Sequence, residues 1–179
     1  IRLLNFRTGQ NTCGASRNKV PKNQTTAKNR NIENIEGSNQ NDKITGNASD
    51  NTIKGLNGND SFVASAGDDY IYGGNESTDT STGDIVDYSN QTQKITLTTE
   101  SNTSKYTVTK VAGGTDTLEG IDTVIGSNYD DILTGDSQKD VFKSGNGNDI
   151  LTGKGGDDTL DAGEGNDKLI GGTGEDSLI

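Results

Sequence analysis

The stretch Ser144–Ile179 reads SGNGNDILT, GKGGDDTLD, AGEGNDKLI and GGTGEDSLI when it is divided into nines. In every unit the sixth residue is Asp and the eighth is Leu. The glycines before the Asp admit positive φ, so the first six residues can turn sharply. The last three can form one short strand, with the eighth side chain pointing to one face. The stretch therefore predicts an all-β chain of alternating turns and short strands.

Two such units make one flattened coil of 18 residues, so each unit stacks on the unit after next. The stacked strands would lie roughly 4.8 Å apart in a sheet. Leu151 would then stack on Leu169, and Leu160 on Leu178. The prediction is a thin file of apolar side chains between two parallel sheets.

A second block keeps the same nine-residue register from Gly37 to Tyr72, and the interval between the blocks breaks it. Its sixth residues are Asp42, Asn51, Asp60 and Asp69. In the interval, 95–99 and 106–111 alternate apolar with polar residues, which predicts a β-hairpin after an inserted polar loop at 75–83. We divide the chain into a basic segment (1–31), a first degenerate block (32–74), an insertion (75–120) and a second block (121–179). An alternative for 1–31 is the end of a preceding module.

Composition argues against a conventional apolar core. Hydrophobic residues make up 26% of the 179 residues, and aromatic residues 4%. Residues 32–179 contain nine Lys and Arg against 27 Asp and Glu, a surface that repels nucleic acid and attracts divalent cations. No apolar run is long enough for a membrane span. The single cysteine, Cys13, excludes a disulfide within the chain.

Stacking also places Asp149 over Asp167 and Asp158 over Asp176. Two like charges at this strand spacing of roughly 4.8 Å repel by about 0.9 kcal/mol even in bulk water. A calcium ion reverses this, because it takes 6–8 oxygen ligands from carboxylates and backbone carbonyls. The chain has no His and one Cys, so zinc and copper lack their usual ligands.

The four repeats from Ser144, and the stretches IENIEGSNQNDKITGN and IDTVIGSNYDDILTGD, resemble the RTX (repeats-in-toxin, hemolysin-type) family of calcium-binding nonapeptide repeats with the pattern GGxGxDxUx. The resemblance implies a parallel β-roll, a right-handed β-helix solenoid, in a secreted bacterial protein exported by a type I system. It implies that several Ca²⁺ ions bind and that their binding folds the chain outside the cell.

In that family each ion lies between a turn and the turn after next. One turn supplies the carbonyls of its second and fourth residues and its Asp, and the other supplies those of its first and third residues and its Asp. Carried over, the first site consists of Gly145, Gly147, Asp149, Ala162, Glu164 and Asp167. The second consists of Lys154, Gly156, Asp158, Gly171, Thr173 and Asp176. A third joins Asp136, Gln138 and Asp140 to Gly153, Gly155 and Asp158. A fourth joins Ser127, Tyr129 and Asp131 to Ser144, Asn146 and Asp149.

The last two sites are expected to be weaker or absent, because 126–143 mostly lacks turn glycines. In the first block, Asn51 replaces an Asp, and two interpretations stay open for Asp42, Asp60 and Asp69. They bind calcium, or their turns are held by Asn and Ser hydrogen bonds.

Three functions follow from these features. The first is a calcium-dependent structural segment of a secreted or cell-surface protein such as an adhesin, with neighbouring repeats as partners. The second is the non-catalytic part of an extracellular lipase, metalloprotease or mannuronan epimerase. We predict no enzyme activity in this chain, because without His it has no Ser-His-Asp triad and no HExxH zinc site. The third is a module that binds a glycan or other surface ligand through 75–111.

Overall fold

The computed structural model describes residues 2–4, 17–19, 34–74, 83–99 and 105–179. These residues contain strands and turns and no helix. Most of the predicted basic segment, Cys13, and residues 75–82 of the polar loop predicted at 75–83 lie outside the described residues.

The described residues form 18 strands. In chain order they are β1 (Arg2–Leu4), β2 (Arg17–Lys19), β3 (Asn34–Glu36), β4 (Lys43–Thr45), β5 (Thr52–Lys54), β6 (Ser61–Val63), β7 (Tyr70–Tyr72), β8 (Ile85–Asp87), β9 (Ile95–Thr99), β10 (Lys105–Lys110), β11 (Gly114–Glu119), β12 (Thr123–Ile125), β13 (Ile132–Thr134), β14 (Val141–Lys143), β15 (Ile150–Gly155), β16 (Thr159–Asp161), β17 (Lys168–Thr173) and β18 (Ser177–Leu178).

Most strands of the two blocks are three residues long and occupy the last three positions of a repeat. A turn follows each of these strands, and the apolar residue at the eighth position of the repeat fixes which side chain faces inward. This confirms the predicted all-β fold with parallel strands.

Within the two blocks, successive strands alternate between two sheets. The larger sheet has eleven strands in the order β17-β15-β13-β9-β10-β11-β7-β5-β3-β1-β2, and the smaller has seven in the order β18-β16-β14-β12-β8-β6-β4. Within each block the parallel partners are two repeats apart, for example Leu151 with Leu169 and Leu160 with Leu178. Both blocks contribute strands to both sheets, so the sheets continue through the whole described chain.

The core is two files of side chains, one from each sheet. The larger sheet contributes Ile35, Ile53, Ile71, Leu118, Leu97, Leu133 and Leu151, and the smaller contributes Ile44, Phe62, Val86, Val124, Phe142 and Leu160. All of these are at most 3% exposed. The files end on partly buried Leu169 and on Leu178, which is 50% exposed. A core only two side chains thick buries little apolar surface, so the polar turns must contribute to stability.

The segment between the blocks forms three strands inside the larger sheet. β9 pairs antiparallel with β10, and β10 pairs antiparallel with β11. β11 is parallel to β7 of the first block, and β9 is parallel to β13 of the second. In the smaller sheet the same interval is spanned directly by β8 and β12. Sequence analysis expected two of these three strands and did not place them within the sheet.

Candidate metal centre

Each turn places its sixth residue, usually Asp, at the start of the next strand, next to the equivalent turn of the neighbouring coil. There one oxygen of its carboxylate accepts a hydrogen bond from a backbone N–H of the neighbouring coil. The donor is the sixth residue of the repeat that lies 18 positions earlier in the chain. Oδ1 of Asp149 accepts N–H from Asp131 at 2.7 Å, and Oδ1 of Asp167 accepts it from Asp149 at 2.9 Å. The neighbouring ladder joins Asp140 to Asp158 at 2.8 Å and Asp158 to Asp176 at 3.0 Å. Each Asp therefore holds two coils in register.

The first glycine of a repeat lies against the carboxylate of its own Asp. A Cβ built on Gly153 would lie 1.9 Å from Oδ2 of Asp158, and one built on Gly171 would lie 2.1 Å from Oδ2 of Asp176. At the second position the backbone has positive φ in all four C-terminal repeats, even where the residue is Lys154 (φ 80°), and also at Leu56 (φ 83°) in the first block. Glycine is therefore used here for close approach and for the left-handed conformation.

In the last four repeats, two buried carboxylate oxygens receive no hydrogen bond from the described residues. They are Oδ2 of Asp149 and Oδ2 of Asp158. Burial is the main cause that raises the pKa of both side chains, and the neighbouring carboxylates Asp167 and Asp176 add to it. The nearby Ser144 hydroxyl lowers the pKa of Asp149, but its hydrogen bond goes to the Ala162 carbonyl, so Oδ2 of Asp149 gains no donor from it. A buried anionic oxygen without a donor is costly unless a cation neutralises it. These two oxygens therefore fit a bound metal ion.

The backbone carbonyls predicted for the first site come together across neighbouring coils. Asn146 and Glu164 form a parallel bridge, in which Glu164 N–H donates to the Gly145 carbonyl at 2.9 Å and Gly147 N–H donates to the Glu164 carbonyl at 3.0 Å. The Ala162 carbonyl accepts the Ser144 hydroxyl at 2.9 Å. A carbonyl has two lone pairs, so these oxygens can also coordinate an ion.

The residues predicted for the second site are likewise adjacent. There β15 and β17 extend beyond three residues into the turns, pairing Lys154 with Gly172 and Gly155 with Thr173. Gly156 N–H donates to the Thr173 carbonyl at 3.0 Å. In the region of the predicted third site, Gly155 N–H donates to the Asp136 carbonyl at 3.1 Å. The structure thus places these turns in contact at the predicted spacing of two repeats.

Other predicted ligands already receive hydrogen bonds from the protein on both carboxylate oxygens. Asp131 accepts from the Ile95 N–H and from the hydroxyl and N–H of Ser127. Asp140 accepts from the Tyr106 hydroxyl and from the Asp136 N–H. Burial raises the pKa of Asp140 to about 6. These two carboxylates differ from Asp149 and Asp158 in being satisfied without a metal.

The first block shows the same ladder with more protein donors. Oδ1 of buried Asp60 accepts the Asp42 N–H at 2.8 Å, and Oδ1 of Asp69 accepts the Asn51 N–H at 2.9 Å. Oδ2 of Asp42 accepts both the hydroxyl and the N–H of Ser38. Oδ2 of Asp69 accepts the Ser65 hydroxyl at 2.8 Å and lies 3.9 Å from the Lys110 ammonium.

Two members of the ladders were missed by sequence analysis. Asp84 accepts the N–H of Asp60 at 2.7 Å, and Asp116 accepts the N–H of Asp69 at 3.0 Å. Both are buried. Each precedes an inward apolar residue by two positions, as Asp149 precedes Leu151. That short pattern could have identified them although the nine-residue spacing is lost.

Within the described ranges, no three His, Cys, Asp or Glu side chains come together as a metal-binding group. The predicted sites instead combine two stacked carboxylates with backbone carbonyls. No helix in the described part of the chain is long and apolar enough to cross a membrane.

Comparison with known proteins agrees with the repeat structure. A family model described as the RTX calcium-binding nonapeptide repeat matches in four copies, over residues 29–62, 46–77, 116–151 and 143–178. The matches cover both blocks and leave out most of the insertion. No curated protein matches the chain.

Proposed function

Because the chain belongs to the RTX calcium-binding nonapeptide repeat family and its repeats bind several Ca²⁺ ions, we propose that calcium folds it after export. It is then a calcium-dependent structural segment of a secreted or cell-surface bacterial protein that leaves the cell by type I secretion. The C-terminal coils, which contain the two proposed calcium sites, stay open where calcium is scarce and close outside the cell, where the ion is plentiful. Metal binding contributes the folding free energy, as in other metal-folded domains.

The observation that supports this most is the pair of unsatisfied buried oxygens on Asp149 and Asp158. One ion would lie between the turns of Asp149 and Asp167, with the carbonyls of Gly145, Gly147, Ala162 and Glu164. A second would lie between the turns of Asp158 and Asp176, with the carbonyls of Lys154, Gly156, Gly171 and Thr173. Calcium supplies the positive charge, and these residues supply oxygens held in place by the sheet register.

The test compares Asp149→Asn and Asp158→Asn with Asp161→Asn, which changes a half-buried side chain on an outward strand position of the same block. The first two variants lose negative charge at the proposed sites, so each should weaken calcium binding by at least about tenfold in isothermal titration. Asp161→Asn should bind like the parent chain. Equal calcium affinity in all three variants would contradict the assignment.

The repeats of this family are typically non-catalytic. Among the described residues, the stacked carboxylates with raised pKa lie in turns between coils and are buried. This arrangement favours a structural role, and any catalytic activity would reside in other parts of a parent protein. A ligand-binding role for the insertion has no specific observation in its support.

A further inference from the structure

A lysine ammonium lies buried among the oxygens of one turn. Nζ of Lys110, at the end of β10, donates to the carbonyl of Ser65 at 2.7 Å and to the carbonyl of Gly67 at 3.0 Å. It also donates to Oδ1 of Asp116 and lies 3.9 Å from Oδ2 of Asp69. The Lys110 side chain is 1% exposed, and both carboxylates are fully buried. Its ligands are therefore all oxygens: two carbonyls and two carboxylates.

These oxygens occupy the same positions of the repeat as those of the proposed calcium sites. Ser65, Gly67 and Asp69 are the second, fourth and sixth residues of their nonapeptide, as Gly145, Gly147 and Asp149 are of theirs. The Asp from the adjacent coil also corresponds. Asp116 accepts the Asp69 N–H at 3.0 Å, and Asp167 accepts the Asp149 N–H at 2.9 Å.

The charges at the two places differ in one respect. Around Asp149 the two stacked carboxylates have no cationic side chain of the described residues within ion-pair distance. Around Asp69 the ammonium supplies one positive charge, and the Tyr88 hydroxyl donates to the other oxygen of Asp116 at 2.9 Å. Burial still raises the pKa of Asp69 and Asp116, and Lys110 lowers both. The ammonium charge and the hydroxyl donors of Ser65 and Tyr88 thus replace the positive charge that a divalent ion would provide.

We propose that the Lys110 ammonium is a tethered substitute for calcium, which occupies the inter-coil site of the Asp69 and Asp116 turns and holds them together without metal. This replaces, for Asp69, the sequence-based expectation of a calcium ligand. The ammonium is supplied by a strand of the insertion, so the insertion stabilises the middle of the roll. The inference rests on the proposed function only for the identity of the ion that is replaced.

The consequence is a roll whose coils differ in their need for calcium. Coils around β7 and β11 are closed by the chain's own cation in any medium. Coils around β15 to β18 present unsatisfied oxygens and require the ion. If the middle coils are already folded, β9 presents an open edge of the larger sheet. β13 and the later strands of that sheet can then pair onto this edge.

Two substitutions separate the charge of Lys110 from its volume. Lys110→Met keeps the apolar stem and removes the charge. Lys110→Ala also removes the stem, which opens space for an ion and water. Lys105→Met is the matched control, because it removes a lysine charge from the same strand at a 40%-exposed side chain, whose contacts are an ion pair to Glu119 of β11 and the ring of Tyr70 of β7 at 5.9 Å.

Hydrogen exchange in EGTA should show β7 and β11 protected in the parent chain and in Lys105→Met. In Lys110→Met the same amides should exchange faster by more than about tenfold, because two buried carboxylates lose their counter-charge. In Lys110→Ala, added calcium should restore protection, and native mass spectrometry should count one more calcium ion than in the parent chain.

Protection of β7 and β11 in Lys110→Met equal to that in Lys105→Met would overturn the proposal. So would a Lys110→Ala chain that binds no additional calcium and regains no protection with it. A parent chain that binds no calcium would instead contradict the proposed function. The comparison of the two Met variants in EGTA would still decide whether the ammonium is needed.

Discussion

At the residue scale, the sixth position of each repeat performs two tasks with one carboxylate. One oxygen accepts a backbone N–H from the adjacent coil, as Asp158 does from Asp140. At some turns the chain supplies a counter-charge or a donor to the other oxygen, and at Asp149 and Asp158 that oxygen is the one proposed to bind the metal. A hydrogen bond to a charged group contributes about 1.5–3 kcal/mol, so the ladder is a substantial source of stability in a roll with a thin core.

Gly153 tests the close approach between turn and carboxylate. Because a Cβ at Gly153 would lie 1.9 Å from Oδ2 of Asp158, Gly153→Ala must displace a proposed ligand. We expect it to destabilise the calcium-saturated chain by about 1–3 kcal/mol in urea unfolding. Gly113→Ala is the control, since its Cβ would meet its nearest neighbour at an ordinary 3.5 Å. Equal stability of the two variants would show that the turn has room to adapt.

Asp140 predicts how stability depends on pH when calcium is removed. Its pKa is raised from 3.8 to about 6 in the folded state, so the folded chain binds this proton more tightly than the unfolded chain. The resulting stability is fully present below about pH 4 and is lost as the pH rises through about 6. Burial raises the pKa of Asp131 as well, which acts in the same direction.

We therefore expect the Tm of the metal-free chain to fall between pH 5 and pH 7.5 in calorimetry. Asp140→Asn should show a smaller fall, because this side chain no longer titrates. A metal-free Tm that rises over this interval would contradict the folded-state pKa values described above.

At the scale of the element, the insertion is joined to both blocks by specific polar contacts. Tyr106 of β10 donates its hydroxyl to Asp140, which precedes β14 in the other sheet, and its ring contacts Phe142 edge-on at 6.3 Å. Lys110, at the end of the same strand, reaches the turn before β7. One strand therefore supplies donors to oxygens of both blocks: the carbonyls of Ser65 and Gly67 on one side and the Asp140 carboxylate on the other.

Tyr106→Phe removes only the hydroxyl and leaves a buried oxygen of Asp140 without its donor. We expect a loss of about 1–3 kcal/mol in unfolding free energy with calcium present. The control is Tyr129→Phe, because Tyr129 is 46% exposed, and its effect should stay within about 0.5 kcal/mol. If the two variants unfold at the same urea concentration, the contact between Tyr106 and Asp140 contributes no net stability.

The strand positions and the stacking of the blocks could be predicted from sequence because they are local and periodic. A nine-residue repeat with Asp at the sixth position and an apolar residue at the eighth determines where each strand lies and which side chain faces inward. The family match confirms the interpretation. Even the departures, such as Lys154 at a positive-φ position, leave the register intact.

The insertion could not be predicted in the same way, because its partners are distant in sequence. Asp116 stacks on Asp69 across 47 residues, and Lys110 reaches Ser65 across 45. Neither separation is a multiple of the 18-residue coil. A buried lysine amid carbonyls has no local sequence signal, so only the folded arrangement shows where its ammonium lies.

At the scale of the whole molecule, two continuous sheets join coils whose buried carboxylate oxygens are satisfied in different ways. The middle coils are completed by Lys110, Tyr88 and Tyr106, whose donors belong to the chain itself. The last coils offer unsatisfied oxygens and rest on a file of leucines that ends on a half-exposed Leu178. Calcium is therefore expected to control the order of the C-terminal coils most strongly.

Hydrogen exchange of 144–179 in the full-length chain, measured in EGTA and then in millimolar calcium, tests this most directly. We predict that amides of β15 to β18 exchange close to unprotected rates in EGTA and become protected when calcium is added. Strong protection of these strands in EGTA, unchanged by calcium, would contradict the account.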